Sequence, residues 1–351
     1  MTEEYYINCI GALGDIVACE PIARFLKEQH PSAKIFWIIK PAYKDIVLNN
    51  PNIDDIIEVQ TLYESGLVCE QKRKTGANVI DCHFNGRICE KTGEKHSNPC
   101  NSGITFENIF KDSSILKSFS IIAGLPPIND APKFYLKDNI VVAGLPKDYV
   151  VIHCKSSLAQ KDWTENKWNK FVSKLIEMNI HVVEIGQENI INNKSPFYHN
   201  FTSVNDIQKI AYIIKNSICF VGIDSGFAHI ANCFDKYAIL IFGRYLKPYK
   251  EYNPYSGNYW NYKNCSFIYT RDYSKYIPVN LVLKVFKSYI NGKKKYKDKR
   301  IYYFPLWQKL REKLFSIGND YKNGVKRKQI LIFGIKIKFK IGSKPVSAER
   351  E

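Results

Sequence analysis

Tyr5-Tyr6-Ile7-Asn8-Cys9-Ile10-Gly11-Ala12-Leu13-Gly14-Asp15 decides the fold. Its first half is a short apolar run of strand type. Its second half is a glycine-punctuated loop ending on a carboxylate. An amphipathic pattern follows to about Gln29, with Val17, Ile22, Phe25 and Leu26 at helical spacing. Pro21 fits such a helix only near a first turn, because proline lacks the N–H and clashes with the preceding turn. Working outward, Ile35–Ile39 reads as a strand, Lys40-Pro41 breaks it, a short helix runs to Leu48, and Ile56–Val59 is a further strand. Strand and helix in alternation imply a parallel sheet with helices on its faces.

Residues 60–145 are less periodic. Val79–Cys82 has strand character between polar flanks at Lys72–Gly76 and Gly86–Gly103, and Ile115–Gly124 has helix character. A second alternating series begins after Gly144–Lys147. It comprises a strand at Tyr149–His153, a helix from Glu165 to Met178 and a strand at His181–Ile185. A helix that Ser203 can cap follows, then strands at Ile218–Val221 and Ala238–Phe242 on either side of a short helix, Phe227–Cys233. The expectation is an α/β protein of two Rossmann-like domains facing across a cleft. Their bounds are 1–145 and 146–290, with a basic extension at 291–351.

Composition supports folded cores. The chain has 351 residues, beyond what one hydrophobic core usually organises, and 45% are hydrophobic, too many for a mainly disordered protein. No apolar run reaches the ~18–20 residues of a membrane-spanning helix. The first residues are acidic and run straight into a strand, unlike an export signal. The ten cysteines form no Cys-x-x-Cys pair, which with that start fits reduced thiols in the cytoplasm. Cys82, His83, Cys89, His96 and Cys100 are spaced too irregularly for a zinc site, so no metal is expected.

The net charge of +17 is unevenly spread. Residues 287–351 hold 19 Lys and Arg against 5 Asp and Glu, whereas residues 1–286 hold 32 against 29. A near-neutral body argues against a nucleic-acid-binding protein. A basic terminal segment reads as a docking element.

Three loops lie at carboxyl ends of strands, where open parallel sheets bind ligands. Gly11 to Asp15 allows a tight turn before a helix N-terminus. Asp15 there can be a general base or simply cap its helix. Gly222-Ile223-Asp224-Ser225-Gly226-Phe227-Ala228-His229 offers the Ser225 hydroxyl and backbone N–H groups to a phosphate. Asp224 would shape its turn, and His229 is either a ligand or turn support. Cys154 to Trp163 holds Lys155, Ser156, Ser157 and Lys161, able to neutralise a diphosphate.

Taken together and in this order, these loops resemble the heptosyltransferase-type glycosyltransferases of family 9. The similarity runs over roughly residues 5–245. It includes His30-Pro31-Ser32-Ala33-Lys34, Asn50-Pro51-Asn52-Ile53-Asp54-Asp55, Ile80 to Arg87, Lys161-Asp162-Trp163, Gly186-Gln187-Glu188 and Gly222 to Ala231. The resemblance implies the GT-B fold and inverting, metal-independent sugar transfer from a nucleotide-activated donor. ADP-heptose is the default donor, and no other cofactor is implied. The chain has no Asp-x-Asp triplet. By the same resemblance Asp15 is the base, Lys161 lies near the donor phosphates, Glu188 holds the nucleotide ribose, and Asp224, Ser225, Gly226 and His229 form the diphosphate loop. Gly11, Gly14, Asn85 and Arg87 fall on the acceptor side. The residue types suit the chemistry, since a carboxylate serves the acceptor proton while a cation and a helix N-terminus serve the leaving diphosphate.

The sequence departs from the family pattern in two places. Residues 63–103 carry no recognisable sugar-reading pattern. Arg244-Tyr245-Leu246-Lys247-Pro248-Tyr249-Lys250 replaces the expected loop and can stack on a base or sugar or lie on the surface. Past residue 290 the resemblance ends. Phe304–Ile317 has the pattern of an amphipathic helix, which suits either a membrane interface or packing on the body. Ile335–Ile341 alternates strictly, as a strand with one lysine face. The expected partners are therefore a nucleotide sugar, an acceptor in lipopolysaccharide, lipooligosaccharide or capsule, and an anionic membrane surface. That places the enzyme on the cytoplasmic side of an inner membrane. Competing readings are a nucleotide-sugar epimerase of similar architecture and a nonenzymatic nucleic-acid-binding assembly factor.

Overall fold

A computed structural model describes residues 2–109, 113–244, 253–293 and 295–304, and the backbone of 315–322, 325–332 and 335–340. Two compact units divide at residue 302. The first begins with β1 (Glu4–Asn8), α1 (Leu13–Ala18) and α2 (Glu20–Gln29). The single helix expected here is thus two. Cys19 interrupts it, and α2 restarts with Pro21 in its first turn, where the missing N–H costs nothing. β2 (Lys34–Ile39) and β3 (Asp55–Glu58) follow, and the short helix read between them is a 3-10 helix at Pro41–Ile46.

α3 (Leu62–Lys74) is a helix where no periodic signal announces one, and it takes in Lys72, Arg73 and Lys74, read above as loop. Its outer face mixes exposed Tyr63 and Leu67 with charged residues, so apolar positions do not gather on one side. Thr61 caps it by accepting the Glu64 N–H. β4 (Asn78–Asp81) and α4 (Ile115–Ile122) complete this half. The four strands are all parallel in the order β3-β2-β1-β4.

The second half contains β5 (Tyr149–His153), α5 (Glu165–Ile176), β6 (His181–Ile185) and β7 (Tyr198–Asn200). α6 (Ile207–Asn216) is capped by Asp206, which accepts from Gln208 and Lys209, and not by Ser203. β8 (Cys219–Ile223), α7 (Gly226–Cys233), β9 (Ala238–Phe242), α8 (Gly257–Trp260), β10 (Cys265–Tyr269), α9 (Val279–Ile290) and β11 (Lys299–Tyr302) follow. These strands form one parallel sheet, β11-β10-β9-β8-β5-β6-β7. β11 pairs with β10, Ser266 opposite Lys299 and Tyr269 opposite Tyr302. The stretch read from residue 291 as extension therefore gives a strand to this sheet, because its backbone completes the β10 edge.

The central strands β5, β8 and β9 are buried throughout, as helices on both faces require. Trp168 and Phe171 of α5 and Phe286 of α9 pack edge to face and are fully buried. Each such side chain contributes about 1.5–3 kcal/mol by leaving water. The two parallel sheets, one per half, are the GT-B architecture.

The second unit holds β12 (Phe315–Lys322), β13 (Val325–Ile332) and β14 (Ile335–Lys340) in an antiparallel meander. Phe315-Ser316-Ile317, expected to end a helix, form the start of β12, and residues 305–314 of that expectation lie outside the described residues. The strand read at Ile335–Ile341 is present as β14, with Ile337 opposite Ile330 and Lys336 opposite Leu331.

Candidate active site

The site grows from the two glycine loops, which touch. A Cβ on Gly14 would stand 2.9 Å from His229 Cδ2 and 3.4 Å from Gly226 Cα. A Cβ on Gly226 would stand 3.0 Å from the Gly14 nitrogen and collide with Leu13. Only glycine at both positions lets the start of α1 meet the start of α7. Gly11 is constrained in the same way, since a side chain there would run into the Asp15 carboxylate.

Asp15 lies in the first turn of α1 and accepts the Ala12 N–H at 3.0 Å. Part of its surface stays open, yet protein surrounds the carboxylate densely enough for burial to dominate. Burial, with the Cys9 side chain adding to it, raises its pKa to about 6. Arg87, the Ala12 N–H and Lys161 pull it partly back. Asp15 thus lies within electrostatic reach of one cation from each half of the body.

In the second half, Lys161 pairs with Asp224 at 2.7 Å, and both are largely buried. The loop carrying Lys161 is shaped by Asp162, whose Oδ1 accepts the Ser156 N–H at 2.8 Å and the Ser156 hydroxyl at 2.9 Å. Ser156 is thereby committed to the loop itself, while Ser157 is exposed. Ser274 ties the same loop down by donating to the carbonyls of Lys161 and Asp162. Glu188 is exposed and ion-paired to Lys155.

Ser225 stands at the N-cap of α7, but its side chain does not cap the helix. Its Oγ lies 2.9 Å from His153 Nδ1. His229 is 4% exposed with its ring 4.4 Å from that of Tyr255, and burial lowers its pKa to about 4. It therefore stays neutral near pH 7, between Tyr255 and Gly14. Gly226 provides the first helical N–H.

Beyond β4, Asn85 accepts the Asn98 N–H at 3.3 Å. Arg87 is half-buried, with Nη1 2.9 Å from His83 Nδ1. His83 Nε2 accepts the Ile10 N–H at 3.2 Å. The Cys/His stretch is a hydrogen-bonded cluster behind β4. His96 Nε2 and Asp81 Oδ2 are 2.8 Å apart, and Asn98 donates to the Asp81 and His83 carbonyls. A cavity of about 170 Å³ beside it, lined by Gly66, Arg73 and His96, lies between α3 and the 87–96 hairpin. Arg244 is exposed and donates its N–H to the Asp272 carbonyl. Tyr245–Lys250 lie outside the described residues.

Three contributors were not singled out from sequence: His153, Asp162 as a loop organiser, and Tyr255. His153 had a signal, as a titratable residue at the carboxyl end of a central strand. The others had none, since loop closure and ring stacking follow from the tertiary fold.

Residues 129–270 match the family model described as glycosyltransferase family 9 (heptosyltransferase). A comparison with curated proteins gives no match. Among solved structures, the glycosyl transferase family 9 protein from Veillonella parvula superposes with a TM-score of 0.62 at 14% identity, covering 83% of this chain and 98% of that one. E. coli ADP-heptose lps heptosyltransferase II gives 0.62 at 13%, covering 84% and 100%. E. coli heptosyltransferase WaaC with ADP gives 0.57 at 11%, covering 83% and 99%. The superpositions establish the fold, and the family match falls on the stretch that carries the Lys161 and Ser225 loops. Over residues 129–270 the chain is therefore similar to the glycosyltransferases of family 9.

Proposed function

We propose that this enzyme transfers a sugar, heptose by default, from a nucleoside diphosphate donor to an acceptor hydroxyl in lipopolysaccharide, lipooligosaccharide or capsule, with inversion at the anomeric carbon. The observation that carries the reading is the meeting of Asp15 with the α7 N-terminus through Gly14 and Gly226. One carboxylate and one phosphate-binding helix end then flank a single point.

The reaction follows from that placement. Asp15 takes the proton of the acceptor hydroxyl as its oxygen bonds to the anomeric carbon. The bond from that carbon to the diphosphate oxygen breaks, and the leaving diphosphate gains charge. The α7 N-terminus, the Ser225 hydroxyl and Lys161 receive that charge. Lys161 begins paired with Asp224, so a bound diphosphate shares its cation with that carboxylate. Glu188 would hold the ribose, exchanging Lys155 for the sugar hydroxyls. The anionic or polar acceptor would lie along Asn85 and Arg87. A nucleotide sugar, ADP-linked by default, is the one small co-reactant the scheme requires.

We also read the second unit as a membrane-docking element that holds the enzyme on the cytoplasmic face of an inner membrane. Its support is the excess of Lys and Arg in this segment. In sequence, lysines alternate with apolar residues over Ile335–Ile341, the pattern of a strand with one lysine face. No helix among the described residues is long and apolar enough to cross a membrane.

The test is transfer from ADP-heptose to a truncated lipopolysaccharide acceptor, followed by mass spectrometry. Asp15→Asn should lower kcat by about 10²–10⁴-fold with ADP affinity unchanged. Wild-type turnover in that variant overturns the base assignment. Isomerisation of the nucleotide sugar without acceptor overturns the transferase reading.

A further inference from the structure

We propose that His153 is a positioning residue, which turns the Ser225 hydroxyl into a hydrogen-bond donor for the diphosphate of the nucleotide sugar. The inference rests on the donor-site reading of the α7 loop and adds to it a residue outside that loop.

His153 ends β5, next to the central strand β8 of the seven-stranded sheet, in register with Ile185 of β6 and Gly222 of β8. It is only 6% exposed. Its ring stands edge-on to Phe227 at 4.7 Å and 81°. A Cβ on Gly186 would be in ordinary contact, 3.4 Å from its Cδ2. The ring is therefore held by packing and has one evident polar task, the 2.9 Å contact between Nδ1 and Ser225 Oγ.

Serine at an N-cap normally turns its oxygen onto the N–H groups of its own helix. Ser225 has the extended backbone of a cap, φ −157° and ψ 166°, but makes no such bond. Its oxygen is diverted to His153, which leaves the first N–H groups of α7 without a side-chain cap and suited to an anion.

Proton bookkeeping then fixes the direction. A hydroxyl has one hydrogen, and diphosphate oxygens only accept. If Nδ1 carries the imidazole proton, it donates to Oγ, and the serine hydrogen is free for a phosphate oxygen. If Nε2 carries it, the serine hydrogen is spent on Nδ1 and the phosphate meets lone pairs. Diphosphate binding therefore selects the Nδ1–H tautomer. Burial holds the pKa of His153 at about 3, so the ring is neutral at working pH and contributes direction rather than charge.

The experiment is calorimetric titration of the full chain with ADP and with adenosine, for wild type, His153→Phe, His153→Asn, Ser225→Ala and the His153→Phe/Ser225→Ala double variant. His153→Phe and Ser225→Ala should each weaken ADP about tenfold, as loss of one hydrogen bond to a charged group does. The double variant should be no weaker than Ser225→Ala alone. His153→Asn, whose amide N–H stands near the place of Nδ1–H, should recover most of the loss. Adenosine affinity should not change. Additive losses in the double variant, or equal losses for adenosine and ADP, would show a merely structural histidine and overturn the proposal. Ser225→Ala leaves the buried ring in place, so an unchanged ADP affinity in that variant also overturns it, even if His153→Phe fails to fold. Failure of wild type to bind ADP, UDP, GDP or CDP would instead remove the donor-site reading, and this proposal with it.

Discussion

Asp15 shows how a single side chain is tuned by its neighbours. Its folded pKa of about 6 lies above the ordinary value of 3.8, because burial penalises the charged form. The sign is decisive for a base. As the proposed base, Asp15 would already carry its proton below pH 6 and could take none from the acceptor. We expect kcat/KM to fall about tenfold per pH unit on the acid side of pH 6, measured by initial rates between pH 4.5 and 8. A flat profile down to pH 5 would mean that another group takes the proton. Arg87 is one of the cations holding that value down, so Arg87→Met should move the acid limb upward in the same rate measurements. At this scale the sequence was informative for Asp15, whose loop stands at a strand's carboxyl end. It was silent on Asp162, because its bond to Ser156 exists only once the loop closes.

At the scale of elements, the α1–α7 contact explains why the glycine spacing mattered. Gly14 and Gly226 come from strand-to-helix loops more than two hundred residues apart, and each leaves room for the other. Gly14→Val should press on the buried His229 ring and force the two helix ends apart. We expect a loss of at least tenfold in kcat/KM with a lowered Tm, by transfer assay and thermal unfolding, as overpacked buried contacts typically cost ~1–3 kcal/mol. Unaltered kinetics in a folded Gly14→Val protein would contradict the contact. Strand positions in the second half were legible because buried parallel strands read as unbroken apolar runs, as Ala238–Phe242 does. α3 was not legible, since its apolar residues are scattered around the axis and its placement is decided by β4. β7 has only three residues and no alternation to announce it.

For the whole molecule, charge and catalysis separate along the chain. The +14 excess of residues 287–351 lies almost wholly past α9, whereas the first 286 residues are nearly neutral. Truncation after Tyr302 keeps β11 in its sheet and removes the three-stranded unit. We expect the truncated enzyme to keep turnover on a soluble acceptor fragment and to lose sedimentation with phosphatidylglycerol vesicles at low salt. Retained vesicle binding would move the docking surface to the body. The two-sheet organisation was readable from alternation alone. The antiparallel meander was not, apart from its last strand, because β12 opens inside a segment whose apolar residues also satisfy helical spacing.

The glycine contact has a mechanical consequence. The Leu13 side chain sits against Gly226 and the His229 ring against Gly14, so each loop closes on the other through one glycine and one packed side chain. Gln208 of α6, which is buried and donates to the Asp45 carbonyl, ties the halves of the body at a second place. Two points of attachment define a line, and any relative movement of the halves that keeps both is a rotation about it.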